Sequence, residues 1–544
     1  MPTTPTYPGV YIQELPSSSH TISPAPTSIA AFVGYTHPLK TPQSSATPTP
    51  PAPAIQVFSF ADYQNHFGGF FNSPWTTDYM GPAIYQFFLN GGATAYVVGL
   101  TDPDYTAATV TIGTSPPGAN DITLTAREPV GTAMGSPPAF KGISMQLAIS
   151  NLQKTTADND TADIVITYGS HVETYRKVVI GDMAARLGTV AKPVSALVTV
   201  DTPFNPPSAY PLSGSPPAAP APFEFSYATA IDPKYSSDAI VKVFTDNFPL
   251  DKVPIFNLLV VPGVTDAAVL AEGVAYSERK RAFYIMDSPA NWEVDIPSTG
   301  NPPAALASDT TPNNPVDGLS NQNVPTSTNA AIYYPWLQTS DPITNAKIAS
   351  PPSGFVAGVY AAEDSARGVW KSPAGLETTL NGTLGVVETG VMTDNQQGNL
   401  NDNAINCLRV FPPLTPVVYG ARTLAHNNVS QRDQWGYIAV RRMALFLEQS
   451  LYNNLTWAVF EPNDTPLWHA LTQTVSAFML SLFRQGAFAG TKPSEAFLVV
   501  CDSTTTTQTD INNGVVNVLV GFAPLKPAEF VIVQIAQLAG QGSS

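Results

Sequence analysis

Residues 435–451 read WGYIAVRRMALFLEQSL, and this stretch decides how the last third of the chain is organised. Four apolar residues recur there at steps of three and four, which places them on one helical face: Val440, Met443, Leu447 and Leu451. Arg441 and Glu448 fall on another face. The stretch therefore predicts an amphipathic helix that belongs to a core.

The residues after Trp457 predict a second helix. Asp464 can cap it, and Pro466 suits its first turn because that turn has spare N–H groups. Gly486 suits its end. Four apolar residues line one side of this helix: Leu471, Val475, Phe478 and Leu482.

Three strand-like runs follow, at residues 496–501, 515–522 and 528–538. The last run is apolar on both faces, and it predicts a strand that is covered on both sides. Phe530 and Ile532 lie on one face. The other face carries Val531, Val533 and Ile535.

Four segments of this region resemble the C-terminal domain of contractile tail sheath proteins, the family of contractile phage tails, R-type pyocins and phage-tail-like extracellular injection systems. The segments are A421-R-T-L, W435-G-Y-I-A-V-R-R, W457-A-V-F-E-P-N and G521-F-A-P-L-K-P-A-E-F-V-I. The tetrad P527-A-E-F530 before the final strand is one of the more specific features of the resemblance.

Composition excludes several other classes of protein. A net charge of −16 makes nucleic acid an unsuitable partner, and 43% apolar residues indicate a globular chain. No run of about 18 apolar residues predicts a membrane span, and the N-terminus lacks the pattern of a secretory signal. The two cysteines, Cys407 and Cys501, allow one disulfide, but buried thiols of a protein made in a reducing cytosol are the favoured prediction.

Residues 1–28 predict an arm, because six prolines favour extended chain over helix. The arm holds one strand-like run, whose backbone groups need a partner. By the residues alone, this strand folds back or adds to a neighbour's sheet edge. The resemblance favours the neighbour. The strand residues are Val10, Tyr11, Ile12, Gln13 and Glu14.

The rest of the chain divides by composition into an α/β part and a β-rich insertion. Residues 253–287 predict a strand, a helix and a strand, which together form a βαβ unit. Residues 55–60 predict another strand. The resulting domains are an arm (1–28), a middle α/β domain (29–100 plus 236–400), an inserted β-rich outer domain (101–235) and a C-terminal inner domain (401–544).

No pattern of catalytic or cofactor-binding residues is present in the sequence. Phosphate-loop, HExxH and GxSxG motifs are missing, and the six histidines have no metal spacing. Glu461 and Asp464, near His469, could do acid–base work, but helix capping explains Asp464. The sequence predicts no cofactor and no enzyme, and a hydrolase with a β-rich appendage remains the alternative.

Four cations are candidates for a contact with an inner tube. Arg484 and Lys492 flank the end of the second helix, where a cation is also favoured by the helix dipole alone. Arg441 and Arg442 suit an intersubunit or tube contact better than a plain solvated face. The resemblance places the C-terminal domain innermost, against the tube.

The residues predict a mixed α/β, multidomain protein, and the resemblance implies a sheath protein with an inserted β-rich outer domain. It further implies a structural subunit that polymerises helically around an inner tube, with baseplate and terminal cap proteins as further partners. By the same resemblance, the sheath is expected to contract from a metastable state and to drive the tube through a target envelope, without nucleic acid or membrane insertion. The particle is expected to assemble in the bacterial cytoplasm and to act as a virion tail or after release. A non-contractile coat or adhesin subunit is a further alternative.

Overall fold

A computed structural model describes most of the chain. The described residues are 20–41, 53–102, 105–112, 122–131, 142–153, 161–201, 222–227, 236–245, 249–295, 313–321, 323–387, 392–413 and 415–534.

Within these ranges the strands are β1 (Ala30–Tyr35), β2 (Ile55–Val57), β3 (Ala95–Leu100), β4 (Thr109–Ile112), β5 (Ile122–Ala126), β6 (Met145–Gln153), β7 (Thr161–Tyr168), β8 (His171–Val179), β9 (Gly188–Thr189), β10 (Lys192–Pro193), β11 (Val198–Val200), β12 (Phe223–Glu224), β13 (Leu258–Val260), β14 (Phe283–Asp287), β15 (Ala330–Tyr334), β16 (Leu337–Ser340), β17 (Lys347–Ser350), β18 (Gly385–Val386), β19 (Ile405–Arg409), β20 (Val417–Val418), β21 (Phe497–Val500) and β22 (Leu519–Phe522).

The α-helices of the same ranges are α1 (Phe60–Phe67), α2 (Met80–Leu89), α3 (Met183–Leu187), α4 (Ser237–Val243), α5 (Ala267–Lys280), α6 (Pro315–Asn321), α7 (Ser353–Arg367), α8 (Asp394–Asp402), α9 (Val429–Trp435), α10 (Ile438–Asn454), α11 (Thr465–Arg484), α12 (Pro493–Ala496) and α13 (Gln508–Asn512).

The chain forms two compact units. Of the described residues, the larger unit holds those of 27–367 and 372–441, and the C-terminal unit holds 20–26, 368–371 and those from 442 onward. This mixture of helices and sheets confirms the predicted α/β class.

An eight-stranded sheet forms the centre of the larger unit, in the order β2-β3-β1-β13-β14-β15-β19-β20. The six inner strands run parallel, and one antiparallel strand closes each edge. Strands β13, β14 and β15 are buried along their whole length. Parallel strands need cover on both faces, which explains their nearly continuous apolar sequences.

The predicted βαβ unit is confirmed. Strand β13 pairs in parallel with β14, and α5 connects them. Asp266 caps α5 by accepting hydrogen bonds from the backbone N–H groups of Ala268 and Val269. Tyr284 lies against α5 at Gly273, where a Cβ atom would stand 2.7 Å from the tyrosine ring.

Helix α7 covers the other face of the sheet together with α2. Phe283, next to Tyr284 in β14, makes a ring contact of 6.2 Å with Tyr360 of α7. Successive strand residues point to opposite faces, so α7 and α5 lie on different sides. A Cβ at Gly354 would stand 2.4 Å from the carbonyl oxygen of Ala83, which shows how closely α7 and α2 approach.

The described residues between 105 and 227 form a β-rich part of the larger unit. Its two sheets have the strand orders β10-β9-β11-β5-β4 and β12-β6-β7-β8, and they share one apolar core. A buried polar contact joins this part to the end of β1, because His37 Nε2 lies 3.0 Å from Glu128 Oε2. Burial lowers the pKa of His37. The neutral ring donates to Glu128 and accepts from the Leu39 N–H at Nδ1.

Strands β19 and β20 belong to the eight-stranded sheet, and the last continuous segment of the compact C-terminal unit begins at residue 442. One predicted strand is shorter than the sequence indicates. The strand expected at residues 55–60 ends at Val57. It is shorter because Ser59 caps α1, accepting a hydrogen bond from the Asp62 N–H at 3.1 Å.

Candidate assembly interface

Helices α10 and α11 form the core of the C-terminal unit. Met443 and Leu447 of α10 pack with Val475 and Phe478 of α11, and all four side chains are buried. The Asp464 carboxylate accepts a hydrogen bond from the Leu467 N–H at 3.2 Å, and Pro466 lies in the first turn of α11. The two predicted helices and the predicted cap are confirmed.

A two-stranded antiparallel sheet, β21 with β22, covers one side of this core. Its pairs run from Phe497 opposite Phe522 to Val500 opposite Leu519. Every second residue packs on the core: Phe497, Val499, Val520 and Phe522. The outer face carries Leu498 and Leu519, each 54% exposed. The sheet is therefore apolar on both faces, but only its inner face is covered.

The outer edges of this sheet are available for pairing. Among the described residues, β21 and β22 form a sheet of two strands only. Each strand therefore has one edge whose N–H and C=O groups bond to no further strand of that part of the chain. Two-stranded sheets are marginal on their own, and open edges are templates for another strand.

Phe530–Val533 is an apolar segment without cover. The exposed fractions of its side chains are 74% for Phe530, 82% for Val531, 83% for Ile532 and 75% for Val533. The predicted strand is not formed over residues 528–534, since a strand needs a hydrogen-bonded neighbour. We call Phe530–Val533 the exposed C-terminal segment. The last predicted donor residue, Ile535, lies outside the described residues.

The root of the N-terminal arm is attached to the end of α10. The His20 ring stacks on Trp457 with 3.8 Å between ring centroids. The Ser23 N–H donates to Asn454 Oδ1 at 3.1 Å, and Asn454 Nδ2 donates to the Ser23 carbonyl at 2.9 Å. The Ala25 N–H donates to Ser450 Oγ at 3.0 Å. The predicted arm strand lies outside the described residues: Val10, Tyr11, Ile12, Gln13 and Glu14.

The four candidate tube-facing cations divide into two pairs. Arg484, in the last turn of α11, and Lys492, just before α12, are both exposed. Arg442 is only 3% exposed. Arg441 is half-buried, donates to Asn329 Oδ1 at 2.9 Å and lies 5.2 Å from the Trp435 ring. Arg441 and Arg442 are thus less exposed than Arg484 and Lys492, and all four stay predictions for an intersubunit or tube contact.

The residues considered for acid–base chemistry lie on the surface. Glu461, Asp464 and His469 are exposed, and Asp464 serves as the helix cap. Over the described ranges, no group of three or more His, Cys, Asp or Glu residues could hold a metal ion. Cys407 and Cys501 are buried free thiols, as predicted. Of the described helices, none is long and apolar enough to cross a membrane.

Two family profiles match adjacent parts of the chain. The phage tail sheath protein central domain matches residues 253–424, and the phage tail sheath C-terminal domain matches residues 430–537. Together they cover more than half of the chain. The chain belongs to the phage tail sheath family.

A curated relative of this sheath protein has a partial match. It is described as a putative prophage major tail sheath protein from Pseudomonas aeruginosa (strain UCBPP-PA14). The identity is 28% over 197 residues, which are 36% of this chain and 48% of the relative. The match thus spans about half of the length of that relative.

Solved structures match the sheath chain over nearly its whole length. One is the PVC sheath complex of an extracellular contractile injection system in the contracted state, with a TM-score of 0.56 and 22% identity over 98% of both chains. Another comes from the six-fold symmetrised baseplate of the anti-feeding prophage. Its TM-score is 0.55, with 23% identity over 98% of this chain and 99% of the other. These likenesses establish the fold beyond the two matched domains.

Proposed function

We propose that this chain is the subunit of a contractile sheath that polymerises helically around an inner tube. The observation that carries the proposal is the combination of open edges on the β21–β22 sheet with the exposed C-terminal segment. Within the described part of the chain, the sheet edges pair with no further strand, and the exposed C-terminal segment pairs with no sheet.

The two features are complementary between copies of the chain. A donated strand bonds its backbone to an open edge and places alternate side chains on the two faces of the sheet. The outer face at Leu498 and Leu519 is apolar, as is the exposed C-terminal segment. We assign strand donation to this segment, continued by Ile535, and to Val10–Glu14 of the arm.

Donation from one copy to the next explains a helical polymer. Head-to-tail contacts that do not close generate open filaments. A connection made of extended chain also keeps subunits linked while the compact units move as rigid bodies, because the backbone change is confined to the linking residues. Such a polymer suits a sheath that changes length without dissociating.

The remaining assignments complete the proposal. The inner tube contacts Arg484 and Lys492, residues 101–235 form an outer domain, and baseplate and terminal cap proteins bind the ends of the polymer. The sheath assembles in the bacterial cytoplasm, acts in a released particle or virion tail, and drives the tube through a target envelope. The energy comes from subunit interfaces that form on contraction, and no catalytic step is required.

Electron microscopy of the purified chain, with and without an inner-tube protein, tests this proposal. We expect tubes, and two tube diameters after acid or mild denaturant treatment. Deleting residues 1–16 is expected to abolish the tubes without lowering the melting temperature. Monomers under all conditions would contradict polymerisation, and tubes of one constant diameter would contradict contraction.

A further inference from the structure

Phe460 is the most exposed large apolar side chain among the described residues. Its exposed fraction is 103%, against 0–8% for the apolar residues of the core. It lies in the turn between α10 and α11, next to Val459, which is 61% exposed. An aromatic side chain in this position leaves its whole apolar surface in water.

The backbone at Phe460 is also strained. Its φ angle is +71°, a left-handed conformation in which the Cβ atom of a bulky residue crowds the following carbonyl group. Glycine or asparagine adopts this conformation far more readily. The turn therefore carries a residue that is unfavourable there for two independent reasons, strain and exposure.

Hydrogen bonds on both sides hold the turn in place. The Val459 N–H donates to the Thr456 carbonyl at 3.2 Å, and the Glu461 N–H donates to the Ala458 carbonyl at 3.3 Å. Asn463 donates to the Val515 carbonyl at 3.0 Å. Its Oδ1 accepts the Trp468 indole N–H at 2.9 Å. The surrounding contacts impose the strained conformation, which is how strain persists at functional positions.

The turn lies on the side of the C-terminal unit where the root of the N-terminal arm is attached. The described chain begins at His20, which stacks on Trp457, three residues before Phe460. The nineteen residues that precede His20 in the sequence are therefore joined to the described chain beside this turn. If they reach a neighbouring copy, as the proposed function requires, that copy lies next to Phe460.

The turn is separate from the proposed tube contact. Phe460 precedes α11, whereas Arg484 is its last residue. A helix of 20 residues is about 30 Å long at 1.5 Å per residue. The two features therefore lie at opposite ends of α11.

We infer that Phe460, with Val459, docks in an apolar recess of the adjacent copy of this chain, the copy that receives the N-terminal arm. The inference rests on the proposed sheath function and adds a contact to it. The docked ring loses its exposure to water, and the pre-formed turn avoids an ordering cost on association.

The variant Phe460→Asn tests this contact. Asparagine tolerates a positive φ angle and removes the ring, so the monomer is expected to retain its melting temperature. The critical concentration for tube formation is expected to rise about 10–100-fold, the factor that corresponds to leaving one large apolar side chain unburied. Phe58→Asn is the matched control, because Phe58 is also exposed, at 60%, but lies in the larger unit. It should leave the critical concentration unchanged.

Other outcomes would overturn the inference in distinguishable ways. Normal tubes from Phe460→Asn, together with no tubes after deletion of residues 1–16, would reject the Phe460 contact and retain the sheath function. If Phe460→Asn impaired assembly only when the inner tube is present, the inner tube would be the partner of Phe460 instead of the adjacent copy. A ¹⁹F label at residue 460 whose monomer signal shifts on deletion of residues 1–16 would show that the chain's own arm covers the ring. Absence of tubes from the unmodified chain would reject both proposals.

Discussion

Replacing Val531 and Ile532 together by serine removes one apolar side chain from each face of the exposed C-terminal segment. Residues next to each other in a strand point to opposite faces. The double variant therefore affects a donated strand whichever face packs on the receiving sheet. It leaves the backbone donors and acceptors of the strand unchanged.

The expected effect differs between the monomer and the polymer. In the single subunit the two side chains are 82% and 83% exposed, so their replacement should change the free energy of unfolding by less than about 0.5 kcal/mol. In the polymer, each side chain that is covered contributes about 1.5–3 kcal/mol. Since 1.4 kcal/mol corresponds to tenfold, the critical concentration should rise about 10–100-fold for each covered side chain.

Light scattering across a concentration series gives the critical concentration, and calorimetry of the dilute monomer gives its stability. The matched control is Val429→Ser, because Val429 has a similar exposed fraction of 79% but lies on α9 of the larger unit. The control should alter neither quantity. An unchanged critical concentration for the double variant would refute strand donation by this segment. A loss of monomer stability as large as the loss of assembly would make the segment part of the subunit's own fold.

Two further predictions concern charge. Replacing Arg484 and Lys492 by glutamate should leave tubes of the chain alone unaffected and should weaken assembly on the inner tube. The effect should be largest at low salt, because salt screens exposed charges. Co-sedimentation with the inner tube at two salt concentrations measures this, and equal binding of the variant and the unmodified chain would contradict the tube contact. Burial raises the pKa of Asp78, which accepts hydrogen bonds from the Phe71 and Gly81 N–H groups, to about 7. The folded state therefore keeps the Asp78 proton, whereas the unfolded state releases it near pH 4. The contribution of Asp78 to the free energy of unfolding is thus fully present below about pH 4 and is lost as the pH rises through about 7. In denaturant titrations between pH 4 and 8, the free energy of unfolding of Asp78→Asn should lack the decrease that Asp78 causes. An equally large decrease in the variant would show that Asp78 does not cause it.

The helices and caps were predictable from sequence because their causes are local. The spacing of Met443 and Leu447 along α10, and the Asp464 and Pro466 pair at the start of α11, act within one or two helical turns. The strands that flank α5 were predictable for a related reason, since buried parallel strands are apolar along their whole length. The family resemblance then supplied the function, which no spacing of residues implies.

The exposure of the four candidate tube-facing cations could not be predicted in the same way. Four cations in the C-terminal third were equivalent candidates by sequence, yet Arg442 is buried and Arg441 bonds to Asn329, more than a hundred residues away in the chain. Whether an arginine on a helix faces water depends on what other segments cover it. No pattern within the helix carries that information.

The α/β class, the helices α10 and α11, and the apolar character of Phe530–Val533 could be predicted from the amino acids alone, because these features depend on neighbouring residues and on composition. The folded chain was needed to see that β19 and β20 complete the large sheet, that Arg442 is buried, and that Phe460 is held in a strained and exposed turn. The physical reason is that strand pairing and burial depend on contacts between segments distant in the chain. Such contacts form from the packing of the whole unit.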